Sequence, residues 1–178
     1  MQIADKGHDT KGLLILGAVC AVCQLNLAPN IALGNGRANF ALVFAACVAL
    51  TRGGSQATVI GFFAGLFFDF STTGPIGLMS LLLTVCSHLL GGEHRNRMAG
   101  DFGASMALFS AAALGVSVAY GLTMLLVGDS SSLIDALFFR AIPTAFLTII
   151  AFLPFAYYFS RVRSNSFGAG THLSRRGF

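Results

Sequence analysis

The chain has 178 residues, 55% of them hydrophobic and only 10% charged, whereas roughly a quarter of the residues of a soluble domain carry charge. Eleven Lys and Arg and seven Asp and Glu cannot cover a globule of this size, which excludes a water-soluble monomer and predicts an all-α integral membrane protein. At about 20 residues per span the length suits five or six crossings and leaves no room for a separate soluble enzymatic domain. The net charge of +4 is no nucleic-acid footprint, because the basic residues gather on no amphipathic or aromatic-interleaved segment.

Lys6 and Lys11 precede the first apolar run, at 12–28. That resembles the start of a signal peptide, but the polar run that should follow cleavage is missing, so an uncleaved first helix is expected. The run ends at Asn26-Leu27-Ala28-Pro29-Asn30, and the break Gly34-Asn35-Gly36-Arg37 leads into the second. Further apolar runs occupy 38–50, 55–70, 76–90, 102–127 and 133–159. The second and third are short and flank Thr51-Arg52-Gly53-Gly54. They suit either two short spans or one re-entrant hairpin shielded from lipid by protein.

Loop charge arbitrates, since cytoplasmic loops concentrate Lys and Arg. Six crossings put Lys6, Lys11, Arg52, Arg95, Arg97, Arg161, Arg163, Arg175 and Arg176 on one face and only Arg37 and Arg140 on the other. Six transmembrane helices with both termini cytoplasmic are therefore predicted over residues 1–160. Residues 161–178 read as a basic, disordered cytoplasmic tail, because their Ser/Gly composition cannot bury enough surface to fold; its arginines would be drawn to anionic membrane lipids.

Chemistry-bearing residues are few. Gly61 and Gly65 stand four apart on one helical face, a small-xxx-small spacing that admits a close helix neighbour, and Asp69 extends the same face. A carboxylate at a helix end inside a membrane must be satisfied. Its candidates are Ser71, Thr72 and the backbone of the Gly74-Pro75 turn, or an ion pair with Arg140 on the same membrane face. Arg140 could instead snorkel to the headgroups, and Pro143 suits the start of the last helix, where its missing N–H costs nothing. Gln24 and Asn26 read as interhelical hydrogen-bonding groups, and His88 as an interfacial residue.

Cys20, Cys23, Cys47 and Cys86 lie in apolar runs, where Cys acts as a small hydrophobe. Cys20 and Cys23 lack the second pair that a zinc site needs. No nucleophile elbow, phosphate loop, metalloprotease motif or paired carboxylate is present. No catalytic, cofactor-binding or metal-ligating residue is assigned, and the chain is not expected to be an enzyme.

The pattern Gly61-Phe62-x-x-Gly65-Leu66-x-x-Asp69, with Gly74-Pro75-Ile76-Gly77 opening the next apolar helix and Arg140-Ala141-Ile142-Pro143 in the last, resembles the MreD family of bacterial rod-shape-determining membrane proteins. The resemblance implies a multi-pass protein of the bacterial plasma (inner) membrane. It further implies a non-catalytic partner of MreC, working in lateral peptidoglycan synthesis with MreB, RodA and the class B penicillin-binding transpeptidase. It marks Gly61, Gly65, Asp69, Gly74, Pro75, Gly77, Arg140 and Pro143 as structural or interaction positions. Family structures resemble the substrate-binding subunits of energy-coupling-factor vitamin transporters, so a six-helix bundle of that type is expected. A vitamin-capturing subunit is the alternative function.

Overall fold

The computed structural model describes residues 3–72, 74–94, 102–128 and 132–170. Six helices organise them: α1 (Ile3–Asn26), α2 (Phe40–Arg52), α3 (Gly54–Ser71), α4 (Leu78–His94), α5 (Phe102–Val127) and α6 (Ile142–Gly170), the last preceded by a π-helical stretch over Asp135–Ala141. Residues 103–127 and 135–157 form helices long and apolar enough to cross a membrane, while 11–26, 40–52 and 78–92 are shorter apolar helices.

At about 1.5 Å per residue the 13 residues of α2 reach only about 20 Å, short of a hydrocarbon core of about 30 Å. Its surroundings compensate. All residues from Phe40 to Ala49 except Phe44 are buried, and α2 packs against α1, α3, α4, α5 and α6. A short apolar helix exposed to lipid would leave its end groups unsatisfied in hydrocarbon; wrapped in protein, α2 becomes the centre of the core. Leu42, Val43, Val48, Leu83 and Phe109 are among the most deeply buried side chains. Phe109 of α5 and Phe152 of α6 stack at 3.8 Å between centroids.

Contacts fix the directions. Gly54 lies against Gly91, Gly61 against Leu83 and Ser87, and Gly65 against Met79 and Ser80, so α3 and α4 run antiparallel. Gly17 faces Phe44 while Gln24 bonds to Phe40, which sets α1 antiparallel to α2. Gly121 faces Ala136 and Ala141 while Phe109 stacks on Phe152, so α5 and the last helix are also antiparallel. The C-termini of α1, α3 and α5 and the N-termini of α2, α4 and the last helix therefore meet at one end of the bundle.

That end carries a small antiparallel hairpin, Ala32–Leu33 (β1) paired with Gly36–Arg37 (β2). Gly34 takes φ +62° at the first position of its two-residue turn, as the primed hairpin turns require. The break foreseen at Gly34-Asn35-Gly36-Arg37 is thus an ordered structure.

The helices extend beyond the apolar runs at both ends of the chain. The polar start is helical from Ile3, and α6 continues to Gly170, into the stretch expected to be a disordered tail. Extending an existing helix needs no new nucleus, and Arg favours helix. Residues 171–178, the rest of that tail, lie outside the described residues, as does the 95–101 part of the loop bearing Arg95 and Arg97. Pro143 is the second residue of α6, near a helix start as expected, but α6 follows the π-helical stretch without a loop, so helical structure is continuous from Leu133.

Candidate functional site

Asp69 is 2% exposed at the end of α3. Its Oδ2 accepts from the backbone N–H of Gly77 (2.9 Å) and Ser80 (3.1 Å), and its Oδ1 from that of Met79 (3.1 Å). Helix α4 begins beside Gly77, whose φ of +96° suits only a residue without Cβ. Glycine at that position has no side chain with which to cap the helix, so the preceding helix supplies the cap. A carboxylate at a helix N-terminus also meets the positive end of the helix dipole.

One expected donor is used, since the Gly77 N–H belongs to the Gly74-Pro75 turn that the Leu78 N–H closes on the Pro75 carbonyl; the other two bonds come from the first turn of α4. Ser71 and Thr72 turn their hydroxyls back to the carbonyls of Phe67 (2.7 Å) and Phe68 (3.1 Å), the usual outlet for a hydroxyl in a helix. The anticipated ion pair with Arg140 is also replaced: among the described residues, the partners of Asp69 are these three N–H groups. Three charge-assisted bonds satisfy the carboxylate without a cation.

Below the clamp, α3 and α4 approach so closely that side chains at two positions are excluded. A Cβ on Gly65 would run into the Ser80 Cα and stand 2.7 Å from the Met79 carbonyl oxygen; one on Gly61 would run into the Ser87 Oγ and stand 2.8 Å from the Leu83 oxygen. The Ser87 hydroxyl is buried there with no hydrogen-bond partner among the described residues.

A second polar group sits beside the clamp, at the N-terminus of α2. Asn39, 2% exposed, caps the helix by accepting from the Leu42 N–H at 2.9 Å. Its own N–H donates to Thr148 Oγ1 of α6 at 3.0 Å, and the Phe40 N–H donates to Gln24 Oε1 of α1 at 2.9 Å. The first N–H groups of a helix lack partners within it; here two neighbouring helices supply them. Asn39 Nδ2 reaches Met79 Sδ at 3.6 Å, and Met79 is held by Asp69, so the two polar groups form one network through α1, α2, α3, α4 and α6. Gln24 thus links two helices, as expected. Asn26 does not, since its amide donates to Val22 O one turn back.

Around Arg140 the hairpin docks on the π-helical turn. Proline at 143 cannot donate to Phe139 O, and the Asn35 N–H of the hairpin takes that carbonyl at 3.0 Å. The Ile142 N–H reaches back to Leu137 O, five residues earlier, and the Arg37 N–H donates to Thr144 Oγ1 at 3.2 Å. A Cβ on Gly36 would lie 2.7 Å from Thr144 N, which fixes glycine where the hairpin meets the helix. The Arg140 guanidinium lies 6.0 Å from the centre of the Tyr120 ring, within cation–π range. Tyr120 also packs edge-on to Phe68 at 6.2 Å and sets its hydroxyl against Gly74. Tyr120 is what brings Gly74 and Arg140 together, a role with no local sequence signal.

Pro75 stands in the turn, its carbonyl accepting from the Leu78 N–H at 3.4 Å. His88 Nδ1 lies 3.4 Å from Thr58 Oγ1. The four cysteines are free, and among the described residues no three His, Cys, Asp or Glu side chains gather as a metal site. The chemistry of this end is backbone capping: its polar groups saturate helix termini and fix six chain segments relative to one another.

No curated protein and no solved structure gave a match to this chain. Residues 11–162, which contain the α3–α4 seam, the Asp69 clamp and the Arg140 segment, match the family of the rod shape-determining protein MreD, and the chain belongs to that membrane family.

Proposed function

We propose that this protein is a non-catalytic scaffold of the rod-shape machinery, crossing the bacterial plasma membrane six times with both termini in the cytoplasm and binding MreC directly. Through that contact it would stand with RodA, the class B penicillin-binding transpeptidase and MreB in lateral peptidoglycan synthesis. The observation that carries the reading is the family match over 11–162, joined to the use of Asp69. The carboxylate at the end of α3 is committed to three backbone N–H groups, which suits a rigid docking body better than acid–base chemistry, where a group must exchange its proton. The bundle type of vitamin-capturing subunits belongs to the same proposal. A capture function is less well supported: the groove between α1, α2 and α3 is about 220 Å³ and apolar, below the roughly 300–1,000 Å³ of small-molecule sites.

Affinity purification of the full chain in mild detergent tests the proposal. Recovery of a single-span partner with a coiled-coil segment is expected. Recovery of ATPase subunits or a bound vitamin would replace the scaffold reading with the transporter.

A further inference from the structure

One face of the bundle carries a groove that the capping network does not use. It opens between α1, α2 and α3 and is lined by Gly17 and Ala21 of α1, Phe44 of α2, and Phe63 and Ala64 of α3, with Gln24 among the lining residues. Gln24 is 6% exposed. Its Oε1 accepts from the Phe40 N–H, which fixes the orientation of the amide, because only the oxygen can accept there. The Nε2 group therefore stands opposite, and among the described residues it has no hydrogen-bond partner. It is not sealed in the core either, since Ser87 Oγ is the sole fully buried unpartnered side-chain atom among those residues. A nearly buried amide in an apolar groove thus presents a free donor and wants an acceptor.

We infer that the groove holds the ester-proximal segment of one acyl chain of a diacyl glycerophospholipid, the rest of the chain lying in the surrounding bilayer, with the chain's ester carbonyl accepting a hydrogen bond from Gln24 Nε2. This rests on the six-span reading, which places the hairpin end at the outer leaflet. Gln24 lies two residues before the end of α1 at Asn26, about 3 Å along the axis at ~1.5 Å per residue, so the amide sits where an acyl ester enters hydrocarbon. The remainder of the groove, walled by Phe44, Phe63 and small residues, offers apolar contact to methylenes. A groove volume of about 220 Å³ is too small for even one turn of a helix about 10–12 Å across, and a helix's backbone carbonyls are already used within it. An ester carbonyl is an unused acceptor on a chain slim enough to enter.

Native mass spectrometry of the full chain in mild detergent, with dioleoyl phosphatidylglycerol or its diether analogue added, tests the assignment. The parent protein should retain one diester lipid about three- to tenfold more strongly than the diether, the size of one neutral hydrogen bond. Gln24→Leu should bring the two lipids to parity. Ala21→Phe should fill the groove and abolish retention of both while leaving the Gln24–Phe40 bond intact. Equal retention of diester and diether by the parent, undiminished retention by Ala21→Phe, or a second protein chain held in place of lipid would each overturn the proposal. The parent comparison needs no variant, so poor folding of Gln24→Leu does not stop the test. Labelling of Asn30→Cys with a membrane-impermeant thiol reagent separates the two claims: labelling only from the cytoplasmic side, with the diester preference intact, would move the site to the inner leaflet and refute the topology alone.

Discussion

Replacing Asp69 by Asn changes one oxygen to an amide nitrogen and removes the charge, with almost no change in volume. If the remaining oxygen serves Gly77 and Ser80, as Oδ2 does now, the Met79 N–H faces an amide N–H₂ where Oδ1 stood at 3.1 Å. One orphaned buried donor costs about 1–3 kcal/mol, and two bonds that fall from charge-assisted to neutral lose about 1 kcal/mol each. The expected loss is about 3–5 kcal/mol, or about 6–20 °C in Tm at ~2–4 °C per kcal/mol for a chain of this length. Thermal unfolding of the purified protein in mild detergent, followed by far-ultraviolet circular dichroism, reads the shift. Ser71→Ala is the control, because among the described residues the Ser71 hydroxyl bonds to Phe67 O alone; its effect should stay below about 1 kcal/mol. An Asp69→Asn protein that melts within about 2 °C of the parent, the size of a surface substitution, would show that the carboxylate does not hold the start of α4.

Gly65→Leu should overpack the α3–α4 seam at the Ser80 Cα, costing at least about 1–3 kcal/mol and lowering both protein level and partner recovery; parental accumulation and recovery would show that face open. A double-mutant cycle of Asp69→Asn with Arg140→Gln should be additive within about 0.5 kcal/mol, since Asp69 is satisfied by backbone and Arg140 lies over Tyr120; a coupling well above that would restore the ion pair. Thr148→Val keeps the shape but leaves the Asn39 N–H without its acceptor, so a loss of about 1–3 kcal/mol in thermal unfolding is expected, and an unchanged melt would remove Thr148 from the network.

Features encoded locally were legible in the sequence. Six apolar runs mark six helices, because side chains facing lipid or core must be apolar along the whole run. The Gly61–Gly65 spacing marks the face against α4, because only a missing Cβ permits such an approach. Asp69 was marked by its cost in a membrane. Its partners were legible in part: the Gly74-Pro75 turn supplies the Gly77 N–H, whereas Ser71 and Thr72, though nearer in sequence, bond one turn back, and the Met79 and Ser80 N–H groups are available because a helix starts there. The Asn39–Thr148 bond joins residues 109 apart, a distance no periodicity reports. Pro143 does lie in the first turn of α6, but the proline alone does not reveal that the freed Phe139 carbonyl finds the hairpin's Asn35 N–H and lets the helix follow the π-helical turn without a loop.

Topology mapping in cells tests most directly the claim that this bundle is a six-span scaffold whose capped end faces outward. A reporter fused after Phe178 and one inserted beside Glu93 should both report the cytoplasm, and one inserted near Ser130 should report the outside. An outside signal at Glu93 would contradict the six crossings and the assignment of the hairpin, the Asp69 clamp and Arg140 to the outer face.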